Sequence, residues 1–326
     1  MHLLQTLDDA AAHPGVRGGV VAIGNFDGVH RGHQAMIAVL REEAARRDAP
    51  AVVLTFDPHP IALLAPDRLP PSLSTLPRKA ELLRRAGADA LVVVHTTRDL
   101  LNLEAEAFFE SVLREKLAAR GMVEGPDFRF GRDRGGDVSR LQALCEAAGM
   151  SLRVMEPVCV EGETVSSSRI RRAVSAGDLG EAVRLLGHPY ELRGTVVRGD
   201  RRGRTLGFPT ANLAGVATLL PPQGVYAGVA EADGRRWPAA VNVGGNPTFG
   251  VSDCKIEVHL DGFEGDLYGV DLPVRLLSRV RGTVAFTDSA ELTSRITRDV
   301  AAARAAAAGH LDSGADAHPP TSRNHP

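Results

Sequence analysis

Through the first half of the chain, short runs rich in β-branched residues alternate with longer segments whose apolar positions recur at helical spacing. Val20–Ile23, Ala51–Thr55, Ala90–Val94, Met122–Glu124 and Leu152–Met155 read as strands. Between them, Gln34–Arg47, Arg78–Ala86, Glu104–Ala119 and Ser139–Ala148 read as helices. This strand–helix alternation predicts a doubly wound parallel sheet. Such sheets bind ligands beyond the carboxyl ends of their strands. His30, His33, Asp57, His59 and Asp127 all follow predicted strands and are expected to share one cleft.

The pattern changes near Gly187-His188-Pro189-Tyr190. Beyond it come short β-like runs at Arg193–Val197, Val225–Ala230, Pro238–Val243, Lys255–Leu260 and Leu272–Val280, separated by turn residues. Their spacing predicts a small barrel or sandwich. A last helix is expected over Ser289–Ala308, ending at Gly309, followed by a polar, disordered tail. The length of 326 residues suits about two domains. The expected division is 1–186, 187–309 and a tail at 310–326.

A net charge of −2 argues against a protein that coats nucleic acid, which needs a basic face. Three isolated cysteines, Cys145, Cys159 and Cys254, indicate neither a disulfide framework nor a zinc site. Residues Met1–Asp9 lack a basic-then-apolar signal pattern, and no run approaches a membrane-spanning length. The expectation is a cytoplasmic protein with no membrane partner.

The richest chemistry lies in Gly24-Asn25-Phe26-Asp27-Gly28-Val29-His30-Arg31-Gly32-His33, directly after Val20–Ile23. A strand that breaks into glycines and enters a helix near Gly32 places backbone N–H groups where a phosphate is favoured. Two imidazoles at that helix start can donate hydrogen bonds to a phosphoryl oxygen as charge develops. A lone His-x-x-His usually carries no function, but here the strand before and the helix after fit the chemistry. Metal binding is the weaker alternative, because no third or fourth ligand stands at a recognisable spacing.

A second candidate is the basic, glycine-rich stretch from Gly194 to Leu213. Its glycines can bring backbone N–H groups close to phosphates. Thr210 and Asn212 alternate, so an extended segment would turn both to one side, with oxygens suited to Mg²⁺. A hairpin with a solvated basic turn explains the stretch equally well. In Ile256-Glu257-Val258-His259-Leu260, strand alternation puts Glu257 and His259 on one face. Glu257 there is either an ordinary outward-facing carboxylate or a general base for a hydroxyl.

Taken in order, these blocks resemble the bacterial bifunctional riboflavin kinase/FMN adenylyltransferases. Besides the histidine block, the resemblance rests on Thr55-Phe56-Asp57-Pro58-His59-Pro60, Gly125 to Gly131, Ser166-Ser167-Ser168-Arg169-Ile170-Arg171 and Gly203 to Asn212. Gly224-Val225-Tyr226-Ala227, Asn242 to Phe249, and Glu257 through Leu267-Tyr268-Gly269 complete it. The Pro209-Thr210-Ala211-Asn212 block is the most specific. The resemblance covers about residues 18 to 305. It implies an N-terminal nucleotidylyltransferase domain and a C-terminal Greek-key barrel kinase with a terminal helix.

The implied reactions are phosphorylation of riboflavin by ATP to FMN, then adenylyl transfer from ATP to FMN, giving FAD and pyrophosphate. The implied partners are therefore the small molecules riboflavin, FMN and ATP, with Mg²⁺ as cofactor. By the same resemblance His30, His33 and Glu257 are the catalytic candidates. Gly24, Phe26, Asp27, Ser167, Ser168, Arg169, Gly203, Thr210 and Asn212 would contact nucleotide or phosphate. Thr210 and Asn212 would hold Mg²⁺, and His59 and Asp127 would line a flavin or nucleotide pocket.

Several positions depart from the family pattern. Leu260-Asp261-Gly262-Phe263 replaces the usual Leu-Asp-Phe, Thr283 and Ala285 replace Glu and Lys, and Arg295 replaces a glutamine. Two rival functions are a nucleotidylyltransferase of other specificity with an accessory barrel, and a flavin-binding sensor with decayed catalytic halves. Intact His30, His33, Arg169, Thr210, Asn212 and Glu257 argue against the sensor.

Overall fold

The computed structural model describes residues 1–199, 203, 206–245, 254–284 and 288–311. The chain divides into two compact units, the first Met1–Ser167 and the second beginning at Ser168.

The first unit is built on six parallel strands: β1 (His2–Leu4), β2 (Val20–Ile23), β3 (Ala51–Asp57), β4 (Ala90–His95), β5 (Gly121–Glu124) and β6 (Ser151–Val154). Their order is β1-β4-β3-β2-β5-β6. The chain thus moves outward from β2 through β3 and β4, then returns to lay β5 on the other side of β2. That reversal opens a crevice at the carboxyl ends of β2 and β5.

Every residue of β2 is buried, because both faces of the sheet are covered. Val21 and Ile23 join one core with Phe109, Leu113 and Leu141, whereas Val20 and Ala22 join another with Ile37, Leu40 and Leu83. The strand period of two thus assigns alternate residues to opposite cores. The helix Arg31–Ala45 starts one residue before Gly32, and the helix expected at 104–119 is α-helical only over Ala105–Phe108. It continues as a π-helix over Phe109–Lys116.

The second unit carries helices Ser167–Ala176 (from the last residue of the first unit) and Leu179–Leu186, and a closed antiparallel barrel. A short hairpin, β7 (Cys159–Val160) and β8 (Glu163–Thr164), precedes them in the chain. The barrel strands are β9 (Tyr190–Val197), β10 (Ala211–Ala214), β11 (Gly224–Ala232), β12 (Arg235–Gly245), β13 (Cys254–Leu260) and β14 (Asp271–Arg281). β14 returns beside β11 while β11, β12 and β13 form a meander, which is Greek-key order. The interior is filled by Tyr226, Val241, Val258, Leu272 and their neighbours, all fully buried.

The helix Ser289–Ala307 packs on β11, β12 and β14 through Val300, Ala303 and Ala307. It is held by charge as well. Arg281 donates from Nε and Nη2 to Asp299 at 2.7–3.1 Å, and Arg304 donates to Asp261 at 2.6 and 2.9 Å.

These contacts account for two of the departures. Gly262 sits at φ +82°, which a side chain would strain, in the turn that presents Asp261 to Arg304. Arg295 approaches the same Asp299 at 3.5 Å. Thr283 is exposed, and nothing in the structure explains its substitution. Ala285, residues 246–249 of the Asn242 block and the tail from 312 to 326 lie outside the described residues.

Candidate active sites

In the first unit, β2 ends at Ile23 and the chain turns through Gly24–Val29 into the helix Arg31–Ala45. Phe26 and Val29 hold φ of +46° and +40°, the left-handed region that side chains disfavour, and both are buried. Such strain persists only where the surroundings over-determine it. The Asp27 carboxylate supplies much of that constraint: it accepts from Leu73 N at 2.9 and 3.0 Å and from Ser74 N at 3.1 Å. Gly28 N donates to Ser74 Oγ at 3.0 Å, and Thr55 Oγ1 donates to Asn25 O at 3.3 Å. Ser167 Oγ, at the end of the first unit, donates to Asp27 O at 3.0 Å.

His30 is the N-cap of the helix, its Nδ1 facing His33 N at 3.4 Å. The two rings stack with centroids 3.6 Å apart and planes 16° apart, and Phe26 lies 5.0 Å from the His33 ring. A Cβ at Gly32 would stand 3.2 Å from His30 ring atoms, so glycine lets the imidazole lie against the backbone. His33 Nδ1 is buried with no hydrogen-bond partner among the described residues. Burial first, then the neighbouring His30 and Lys79, hold His33 well below the ordinary histidine value, which favours the neutral imidazole.

His59 caps the short helix Pro60–Leu64 by accepting from Ile61 N at 3.1 Å. Asp127 is exposed on the turn after β5. Arg169, in the second unit, pairs with Glu181 at 2.5 Å within the helices Ser167–Ala176 and Leu179–Leu186.

Four residues of the first unit that sequence reasoning did not single out matter here. Ser74 and Thr55 fix the turn, Lys79 is charge-coupled to His33, and Glu124 accepts from Ile23 N at 2.8 Å across the mouth of the crevice. Of these, only Thr55 lay in a block carrying the family resemblance.

On the barrel, Glu257 is opposite Asn212 of β10 on one side and Asn242 of β12 on the other. Strand alternation buries Val258 and leaves Glu257 partly exposed, as its period predicts. Asn242 Nδ2 donates to Glu257 Oε2 at 3.2 Å. A Cβ at Gly199 would fall 2.3 Å from Asn212 Nδ2, so only glycine allows the backbone to cross that amide. Gly203 O accepts from Phe208 N at 2.8 Å, and a Cβ at Gly203 would collide with Phe208 O at 2.3 Å.

The His259 ring meets Pro209 O at 2.9 Å, fixing the backbone just before Thr210. Thr210 lines a cavity of about 510 Å³ together with Val196, Leu260, Phe263 and Tyr268. Asn212 offers a neutral amide oxygen opposite Glu257, and Thr210 a hydroxyl two residues before it, donor types that fit a hard cation sharing its shell with nucleotide phosphates. Among the described residues no group of three or more His, Cys, Asp or Glu side chains forms a metal cluster.

Stacked imidazoles at a helix start beyond a parallel strand, and a barrel carboxylate flanked by two asparagines, suit the class of phosphoryl- and nucleotidyl-transferring enzymes. Residues 13–169 match the FAD synthetase family model and residues 186–307 the riboflavin kinase model. The chain belongs to the bifunctional riboflavin kinase/FMN adenylyltransferase family. It is 37% identical to the Escherichia coli K12 member over 305 residues, covering 93% of this chain and 97% of that one. The Pseudomonas fluorescens member is 39% identical over 296 residues, covering 90% and 95%.

A solved structure from Streptococcus pneumoniae, described as a macrolide-efflux protein, superposes with a TM-score of 0.83 at 30% identity, covering 93% of this chain and 99% of that one. No described helix of the present chain is long and apolar enough to cross a membrane.

Proposed function

We propose that this enzyme makes FMN at the barrel and FAD at the parallel sheet, and that the residues assembled above carry the two steps. The observation with most weight is the stacked His30–His33 pair at the helix start in the switch crevice. In adenylyl transfer an FMN phosphate oxygen bonds to the α-phosphorus of ATP, and the bond to the β-phosphate bridging oxygen breaks, releasing pyrophosphate. The nucleophile is already anionic, so alignment and charge stabilisation dominate. His30 and His33 donate to the phosphates, with the N–H groups of the helix start beside them. Gly24 and Phe26 shape the turn, and Asp27 acts through the loop it anchors at Leu73 and Ser74.

Ser167, Ser168 and Arg169 form a second phosphate contact at the start of their helix. His59 and Asp127 complete a flavin or nucleotide pocket. The adenylylating half is assigned residues 1–186 and the kinase half 187–309.

In the kinase step the riboflavin 5′-hydroxyl bonds to the γ-phosphorus of ATP, ADP leaves, and Glu257 takes the hydroxyl proton. Asn242 orients that carboxylate. Thr210 and Asn212 would hold Mg²⁺, which supplies charge neutralisation of the ATP phosphates. The Gly199–Gly207 stretch, of which residues 200–202, 204 and 205 lie outside the described residues, would cover those phosphates, with Gly203 O accepting from Phe208 N. The three cysteines are free thiols, in keeping with the cytoplasm as the place where the enzyme works.

The test is to incubate the protein with riboflavin, ATP and Mg²⁺ and resolve the flavins by chromatography. Wild type should pass riboflavin through FMN to FAD. H33A should stop at FMN, since losing one such donor costs ~2.7–4 kcal/mol of barrier. E257Q should fail on riboflavin yet still convert supplied FMN to FAD. Flavin bound without turnover would instead identify a sensor.

A further inference from the structure

The helix Leu76–Ala86 is amphipathic, with Leu82 and Leu83 buried against the sheet. Its first turn is capped by Thr75, whose Oγ1 accepts from Arg78 N at 3.4 Å. The next residue, Lys79, is not sent to solvent as the polar face of a helix usually is. Its ammonium donates to Thr55 Oγ1 at 3.5 Å, and Thr55 Oγ1 in turn donates to Asn25 O at 3.3 Å. Asp27 on the turn and Asp57 at the end of β3 act on the same ammonium.

One cation therefore joins three pieces of chain: the helix Leu76–Ala86, the end of β3 and the strained Gly24–Val29 turn. We propose that Lys79 is a positioning residue for adenylyl transfer, its ammonium bracing the turn and the β3 end that flank the stacked His30–His33 pair. The proposal rests on the assignment of that pair given above.

The brace has an electrical side. The titratable groups gathered here are Asp27, Asp57, His30, His33 and Lys79. Burial lowers the Lys79 ammonium from the ordinary lysine value, and the two carboxylates oppose that fall. The positive charge disfavours a proton on His33, in the same direction as burial and His30. Without the cation, His33 takes its proton at higher pH, and the turn loses the tie through Thr55. A lysine that merely filled space would alter neither titration nor turnover in that linked way.

The experiment uses the full chain with FMN, ATP and Mg²⁺ as substrates and compares K79Q, K79R and H33A. K79M replaces K79Q if the latter fails to fold. The His33 ring is followed by NMR, assigned by its loss in H33A. In K79Q the kcat for FAD formation should fall about tenfold or more with KM values little changed, the pattern of a lost transition-state arrangement. The His33 titration midpoint should rise measurably towards the ordinary histidine value. K79R should restore both towards wild type.

An unmoved His33 midpoint in K79Q, or a K79R variant no better than K79Q, overturns the proposal and leaves Lys79 a packing residue. FAD synthesis at the wild-type rate in H33A overturns the underlying site assignment as well. Loss of activity in H33A combined with normal K79Q sinks the Lys79 role alone.

Discussion

Among the described residues Glu124 is the least exposed acid, 1% exposed at the carboxyl end of β5. Burial holds its carboxyl well above the ordinary glutamate range, against the pull of the hydrogen bond from Ile23 N. Such a group keeps its proton in the fold to a higher pH than in the unfolded chain. Its stabilising effect is complete below the unfolded value of about 4.3 and is lost as pH rises through the folded value. E124Q keeps an acceptor for Ile23 and has no proton to release. Melting curves of the two proteins from about pH 5 to about pH 9 should diverge as pH rises, with E124Q the more stable at the alkaline end. Parallel curves would mean that Glu124 does not ionise in that window.

The same residue marks a limit of sequence reading. Glu124 was legible as part of a strand, but nothing local distinguishes a strand-end glutamate that faces a neighbouring amide from one in solvent. Asp27 is similar: its place in the histidine block suggests a phosphate contact, while its carboxylate is turned to Leu73 and Ser74, forty-odd residues away. Lys79 reads as the polar face of a helix, and only the tertiary fold brings it to Thr55.

Elements were legible in proportion to their local signal. β2, β3 and β4 are built almost wholly of apolar, largely β-branched residues and were placed to within two residues. β10 was not recognised as a strand of its own, because Ala211-Asn212-Leu213-Ala214 holds no β-branched residue, and its pairing with β9 and β13 makes it one. The edge strand β1 has three residues, too few for a period to show. The π-helix at Phe109–Lys116 shares its apolar spacing with an ordinary helix over so short a stretch.

The loop between β9 and β10 makes its own prediction. G199A would place a methyl 2.3 Å from Asn212 Nδ2, forcing the loop or the amide to move. Riboflavin phosphorylation should drop about tenfold or more, the cost of a small misplacement at a positioned site. Supplied FMN should still become FAD at the wild-type rate. A fall in both activities would show damage beyond the loop.

At the scale of the whole molecule, two compact units carry two chemistries, and their stabilities rest on different devices. The parallel sheet is sealed by apolar packing on both faces. The barrel is closed by hydrogen bonding around its full circumference, with a terminal helix held partly by charge. Arg281 and Asp299 are 12% and 6% exposed, so removing the carboxylate takes away the anion that faces both Arg281 and Arg295 in a dry place. D299A should cost about 3–5 kcal/mol. The measurement is loss of riboflavin phosphorylation on heating, which should set in at a lower temperature than in wild type. An unchanged profile would show that the Arg281–Asp299 pair does not hold the helix.

The barrel's polar row also acts as a ruler. Glu257 stands between Asn212 and Asn242 only because β10, β13 and β12 are aligned as they are. Sliding either neighbour by one residue would set Ala211 or Leu213, or Val241 or Val243, opposite the carboxylate. A barrel so misaligned could keep its strand content while its acid stood among hydrocarbons. Phosphorylation of riboflavin therefore measures the alignment of three strands to a single residue, a length of about 3.3 Å that strand content alone does not report.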